Sequence, residues 1–403
     1  MPRGARRRQV SNCRKVLCMV WKNMIRYQYS LRTLMVGVTL CCVLFACAAG
    51  LIRSIRREAK SLAMQHEMRI ELEHEGATVW TTSCKSYLLE WFAPQHPTEE
   101  IVAIAFEGAE VTDGNLAVLE RCRGLSKLAT LSIRRCNLSD SALKHLVELR
   151  QVRRLDLSDT SISGEGLTYL RGMNKLWWLC LNNTAIDDES LRHIGELENL
   201  AVLEVSRTRV CGRGFQHLLG LTHLTYISAS GNRLSDEGLR YLGQLRTVTT
   251  LHVDQSNIDD GGVQQLGRLS ALETLNLSDT AVTAAGLSNL SGLSSLCHLC
   301  LDGLALDDSD LARLEVLRIP SWLSLERTQI SDAGLEWLTR CKRLNFVYLS
   351  HTKVTQHGAA YLSDVSGAAV SCNGKAFVPR RNFSSSTSRT YLDAIRSNVL
   401  EGR

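Results

Sequence analysis

What this 403-residue chain lacks already narrows its chemistry. Its 11 histidines are dispersed, with no H-E-x-x-H or comparable pairing, which removes the metallohydrolase arrangement. Gly-rich phosphate loops are absent too, since Gly261-Gly262 falls on a recurring helix-start position. Cys297-x-x-Cys300 has no second pair, and residues three apart on a strand point to opposite faces. The 14 cysteines include Cys41, Cys42 and Cys47 in an apolar run; most others are scattered singly, without disulfide-framework spacings, and read as small buried apolar residues. Asp187-Asp188, Asp259-Asp260 and Asp307-Asp308 lack the Gly and distal Glu of an EF-hand calcium loop. No catalytic residue, metal ligand, cofactor or small-molecule substrate is therefore expected. The stretch after Cys372, about 30 residues, is too short for an enzyme domain.

Acids are nearly missing from the N-terminal region: residues 1–60 hold 13 Lys/Arg and one acid, Glu58, leaving 34 bases against 40 acids elsewhere. The basicity belongs to that region, so a nucleic-acid-binding surface is not indicated for the rest. Charge is also missing between Leu34 and Ile52 (LMVGVTLCCVLFACAAGLI), where Thr39 is the sole hydroxyl. As a helix this run covers about 28 Å, close to the roughly 30 Å hydrocarbon core of a bilayer, and it predicts a transmembrane helix over 34–52. Nine Lys/Arg and no acid precede it. The positive-inside rule then puts residues 1–33 in the cytoplasm and the remainder on the non-cytoplasmic side. A cleaved signal peptide is the competing reading, because Ala46-Cys47-Ala48 has small residues at A-x-A spacing.

From Leu131 to Leu349 a pair of aliphatic positions spaced L-x-L returns every 24 residues, as Leu131/Ile133, Leu155/Leu157, Leu179/Leu181, Leu203/Val205, Ile227/Ala229, Leu251/Val253, Leu275/Leu277, Leu299/Leu301, Leu323/Leu325 and Val347/Leu349. Ile104/Phe106 extends the series upstream, so about eleven units stack in line. Counting the first aliphatic as position 0, the consensus is L-x-L-x-x-T-x-I-[STD]-D-x-G-L-x-x-L-x-x-L-x-x-L-x-x. Positions 0 and 2 fill the core of a strand, while positions −1, 1 and 3 face the other way. Position 5 is Thr160, Thr184, Thr208, Asn232, Ser256, Thr280, Thr328 and Thr352, a short polar group able to satisfy the backbone leaving the strand. Position 8 is an N-cap type in every repeat but that of Cys211, and the acids after it suit the positive end of a helix. This pattern predicts an α/β leucine-rich-repeat solenoid, one strand and one short helix per unit, whose parallel strands line a concave sheet.

Tyr27-Gln28-Tyr29-Ser30-Leu31-Arg32-Thr33-Leu34, opening into the apolar run, together with these repeats resembles a group of bacterial, planctomycete-type, single-pass membrane proteins with leucine-rich repeats. The resemblance covers residues 26–362 and implies topology rather than an activity.

Around the array, residues 53–100 read as a juxtamembrane helix followed by an N-terminal cap. Ile55, Ala59, Leu62, Met68 and Ile70 form an incomplete apolar stripe on that helix, and Trp80, Trp91 and Phe92 are expected to pack in the cap. The solenoid is expected over 101–371, closing on a capping strand at Ala369-Val370-Ser371, with a disordered tail over 372–403. Repeat 299–322 departs from the pattern at Leu304, Asp310 and Pro320.

The candidate site is the concave face. Position −1 carries Trp178, Tyr226, His298, Trp322 and Phe346, and position 1 carries His252 and Tyr348. Aromatics of this kind anchor protein interfaces, and Arg134, Asp254, Asp302 and Glu326 supply polar selectivity around them. The expected function is a non-enzymatic, membrane-anchored protein-protein interaction module. Alternatives are a secreted recognition protein, a structural envelope role, or a substrate-recognition adaptor of an enzyme complex; residues 53–100 show no helical docking motif of the kind adaptors add.

Overall fold

The computed structural model describes residues 31–83, 99–313 and 321–379, with side chains for 49–82, 99–313 and 321–379. Two compact units are distinguished, 1–66 with 83–99, and 67–82 with 100–403. In the first, the described residues belong mainly to the helix Leu31–His74, on which Ile55, Ala59 and Leu62 form a buried cluster at i, i+4, i+7 spacing. The expected transmembrane run 34–52 lies in this helix, but the side chains of 31–48 lie outside the described residues. Among the described residues no helix is long and apolar enough to cross a membrane. Residues 1–30, and the loop with Trp91 and Phe92, likewise lie outside them.

The second unit is one 14-stranded sheet in chain order. It opens with β1 (Ala77–Ser83) and β2 (Glu99–Glu107), continues as β3 (Thr130–Arg134), β4 (Arg154–Asp156), β5 (Trp178–Cys180), β6 (Val202–Glu204), β7 (Tyr226–Ser228), β8 (Thr250–His252) and β9 (Thr274–Asn276), and ends as β10 (His298–Cys300), β11 (Trp322–Ser324), β12 (Phe346–Tyr348), β13 (Ala369–Cys372) and β14 (Lys375–Phe377). Every pairing from β2 to β13 is parallel, and from β3 to β12 the register advances by one repeat, Leu155 on Leu179 and Leu251 on Leu275. Position 0 is buried in every repeat because the helices close over it, giving one continuous apolar column.

The ends differ from expectation. In β1, Ala77 and Val79 turn inward, so strand alternation leaves Trp80 outside, half exposed rather than packed in the cap. Ile70 is exposed as well, since helical spacing gives the inner face to Met68 and Leu72 instead. At the far end the single capping strand is a hairpin: Asn373 and Gly374 take left-handed conformations, and β14 returns antiparallel on β13, within the stretch read as tail.

Between strands, each helix runs from one to about three turns, α in some repeats and 3-10 in others. The polar ladder at position 5 has the expected role. Thr160, Thr184, Thr280, Thr328 and Thr352 donate to the carbonyl three residues back at 2.6 to 2.7 Å. The acids at position 9, Asp236 excepted, reach beyond their own helix start and hold the helix start of the following repeat. Asp140 accepts from the Ser163 amide at 2.7 Å, Asp260 from Thr283 at 2.8 Å, Asp308 from Ser331 at 2.8 Å and Asp332 from Thr355 at 2.8 Å, with the hydroxyl of each cap on the second oxygen. Cys211, the break in the cap series, does the same, its thiol 2.6 Å from Asp188.

This contact explains the glycine at position 11. A Cβ on Gly166 would stand 3.0 Å from Asp140 Cα, and one on Gly286 or Gly358 would meet the carboxylate of Asp260 or Asp332. Where position 9 is Gly164 or Ala284, position 11 of the next repeat is larger, Ser190 or Asp310. The capping there turns inward to the repeat itself: Ser190 donates to Asp187 at 2.7 Å, and the Asp310 amide to Asp307 at 3.3 Å. Asp310 is thus an accommodated departure.

Asp260→Ala is expected to cost about 1–2 kcal/mol by urea unfolding, the worth of a charged cap. Gly358→Ala destabilises the native background but becomes neutral or better once Asp332 is Ala, because the three atoms nearest the added methyl all belong to the carboxylate then removed and alanine favours helix. Additive effects of the two changes would show that carboxylate and glycine do not compete for one volume.

Candidate functional site

The sheet has two faces. One is roofed by the helices; the other carries positions −1, 1 and 3 and is covered by no element among the described residues. Parallel register brings equivalent positions side by side, so any side chain repeated at one position becomes a row.

The aromatic candidates form two groups and two flanking residues. Tyr226 and His252 lie with ring centroids 5.4 Å apart. His298, Trp322 and Tyr348 form a second run, at 6.0 and 4.9 Å. Phe346 stands beside Trp322 in register. Trp178 is separate from these, with Val202 between it and Tyr226 in register. Its partner was not anticipated: Arg154 Cζ lies 5.0 Å from its ring and 5.5 Å from that of Trp177. The doublet Trp177-Trp178 was visible in the sequence as two aromatics at positions −2 and −1, the one signal that pointed there.

Beneath the rings runs a polar floor. Asp254 Oδ1 accepts from Ser230 Oγ at 2.6 Å and from Asn276 Nδ2 at 3.0 Å. Asp302 Oδ1 accepts from the Glu326 amide at 2.8 Å and from Ser324 Oγ. Burial pushes Asp302 above the usual carboxylate range even though these bonds and Arg327 favour its charged form. Burial likewise lowers His252 and raises Tyr226. Arg134, a candidate for selectivity, is already engaged, 3.4 Å from Glu107 and 3.7 Å from Asp156. Cys300 sits on this face with its thiol pushed up to about 12 by burial, far from the reactive thiolate range. Cys122, Cys136, Cys180 and Cys372 are buried, whereas Cys211, Cys297, Cys300 and Cys341 are only partly so.

At the strand-entry lip a recess of about 600 Å³ opens between Arg153, Lys175, Trp177, Asn174, Asn199 and His223. At the strand-exit lip, position 4 is left-handed in every repeat, with Arg207 reaching Gln255 at 3.3 Å and Arg327 reaching Asp279 at 2.6 Å. Each of these bridges spans two repeats over a glycine, Gly231 or Gly303, where a Cβ would meet the bridging side chain.

Three stretches, 150–170, 220–243 and 270–291, match the family description Leucine Rich repeat. The chain carries leucine-rich repeats, in agreement with the periodicity. No curated protein sequence matches it. Among solved structures it is similar to an internalin (inlF) of Listeria monocytogenes, 18% identical with a TM-score of 0.47, over 75% of this chain and 92% of the other. An internalin C2 (inlC2) of the same organism is 24% identical with a TM-score of 0.39, over 51% and 83%. A mouse RP105/MD-1 complex gives 21% identity and 0.46, over 62% of this chain and 42% of the other.

Two outcomes follow from the floor. The His252 ring should titrate below its ordinary value of 6.5 by NMR, and Tyr226→Ala, by opening it to water, should move the midpoint up. Asp302→Asn should raise the thermal midpoint at neutral pH. An acid whose folded pKa is raised costs stability once ionised, so this gain must shrink as pH falls through that pKa; a gain constant with pH contradicts the assignment.

Proposed function

We propose that this protein is a non-enzymatic, membrane-anchored module that binds another protein on the open face of its sheet. The observation that carries the reading is the aromatic row. Tyr226, His252, His298, Trp322, Phe346 and Tyr348 lie on a face that no other element among the described residues covers, and Trp322 and Tyr348 stack there without reaching the core. Large amphipathic rings held rigid by a sheet are the side chains that anchor interfaces at small entropic cost. The carboxylates that might suggest chemistry are engaged in holding backbone, as Asp187, Asp259 and Asp307 do at helix starts. Leucine-rich repeats in general serve protein recognition, which supports the same direction.

The anchor is residues 34–52, with 1–33 in the cytoplasm and the repeats on the non-cytoplasmic side. It rests on the uncharged run and the excess of bases before it.

Two measurements test the reading. In sealed cells, external protease should remove a C-terminal tag and leave the N-terminal part in the membrane. A tag protected until lysis reverses the orientation, and release of the whole chain into the medium favours the secreted form. Cross-linked partner yield from Trp178→Ala/Trp322→Ala should fall by about tenfold or more at unchanged thermal unfolding, as loss of interface anchors does; an unchanged yield makes the rings structural.

A further inference from the structure

The open face, taken with the −2 positions that line its strand-entry lip, is charged unequally along its length. At positions −2, −1, 1 and 3, the entry end has Arg153 and Arg154 in adjoining places, with Lys175 on the loop beside them. None of these three is in an ion pair among the described residues. Arg134 and Arg135 compensate Glu107 and Asp156 nearby. From Ala201 to Ser350 the same four positions hold Glu204, Asp254, Glu273, Asp302 and Glu326, and not one Lys or Arg. The bases near this half lie off those positions, Arg327 being tied to Asp279.

Each end also offers a shape suited to its charge. The basic end has the recess, where Arg153 and Lys175 stand beside the Trp177 ring and the side-chain amides of Asn174 and Asn199. Carboxylates fit that setting, with amide and guanidinium donors around them. At the acidic end the aromatic pairs alternate with Asp254 and Asp302. The hydrogen bonds that fix these two carboxylates run to Oδ1 in each case, so Oδ2 is left to accept from an incoming donor. A guanidinium or ammonium group lying over a ring and beside such an oxygen gains from both.

We propose that the face binds one extended polypeptide segment of block charge, its acidic part in the Arg153–Lys175–Trp177 recess and its basic part across β6 to β12. This rests on the protein-binding reading above and names the chemistry of the partner. Six strand intervals of about 4.8 Å make the basic part roughly 29 Å, or about nine extended residues. A nucleic acid meets repulsion over that length, and a free small anion satisfies only the recess. One chain carrying both signs satisfies the whole face and is oriented by it.

Fluorescence anisotropy on the full chain in detergent tests this with three synthetic peptides of one length: alternating Glu and Ser, alternating Lys and Ser, and a block peptide joining the two. The block peptide should bind about tenfold or more tighter than either uniform one, since it makes both sets of charged contacts. Arg153→Ala/Lys175→Ala should weaken the Glu peptide and spare the Lys peptide, and Asp254→Asn/Glu326→Gln should do the converse. Glu165→Gln/Glu336→Gln, which removes the same charge from the helix side, should change neither. Equal loss with that control means unspecific attraction, and a block peptide no tighter than its halves means no polarity; either overturns the proposal. If no peptide binds while Trp178→Ala/Trp322→Ala still abolishes partner cross-linking, the face binds protein and only the charge assignment falls.

Discussion

Most junctions of the array are set by one contact between neighbours, absent where position 9 is Gly164, Gly212 or Ala284: a carboxylate at position 9 of one repeat held against the helix start of the next. It is the polar counterpart of the leucine column, and it is short-ranged in a way that the column is not. A leucine tolerates small shifts of its neighbour, whereas an aspartate that must reach both an amide and a hydroxyl fixes spacing and register together. Its bulk is the reason the next repeat needs glycine three residues beyond the cap, as at Gly166, Gly286, Gly334 and Gly358. At Gly164 with Ser190, and at Ala284 with Asp310, the larger side chain sits on the other side of the junction, whereas at Gly212 with Gly238 both sides are glycine and the backbones approach closely. Every repeat shares the leucine column with its neighbours and most also share this joint, which is why a single unit has no stable form of its own.

The same logic runs along the strand-exit lip. Position 4 adopts the left-handed conformation even where the residue is Arg135, Arg207, Gln255, Arg327 or His351, at about 1 kcal/mol or more each relative to glycine. The turn is maintained because it aims the amide of position 4 at the carbonyl of position 3 in the next repeat. Asn183 donates to Ser206, Arg207 to Ser230, Gln255 to Ser278 and Arg327 to Ser350, at 2.8 to 3.0 Å. An extra rung is added to a ladder whose strands are only three residues long. Backbone strain here has a structural return in every repeat, so it marks the fold and not a functional site.

That regularity explains how much the sequence disclosed. Periods of 24 residues exposed the core positions, the strand direction, the position 5 ladder and the N-caps, because each of these is a local preference written in residue type. The direction of the position 9 bond was not legible: Asp140 or Asp260 suits its own helix start as well as its neighbour's, and only the spacing of stacked repeats decides between them. The left-handed turn was hidden for a similar reason. Asp159, Asn183, Gly231, Asp279 and Gly303 hinted at it, but half the array carries long side chains there that favour other conformations when isolated. At the ends the repeat signal stops, so the outward turn of Trp80 and the hairpin to Phe377 rested on alternation and on an Asn-Gly turn too short to stand out. The aromatic row was predicted by position, while the pairing of Arg154 with two tryptophans needed adjacent strands in register.

The helix side and the open face obey different economies. On the helix side the position 9 carboxylates and the position 8 caps hold backbone, at Asp140, Asp260, Asp308 and Asp332 among others. On the open face Asp302 is kept ionisable in a place where burial disfavours its charge, beside rings that stop short of the core. An array built only for rigidity has no reason to retain that carboxylate, since an amide accepts the same bonds from Ser324 and Glu326 without the desolvation cost. Side-chain direction along each strand thus separates two surfaces: positions 0 and 2 close the stack, and positions −1, 1 and 3 face away from it.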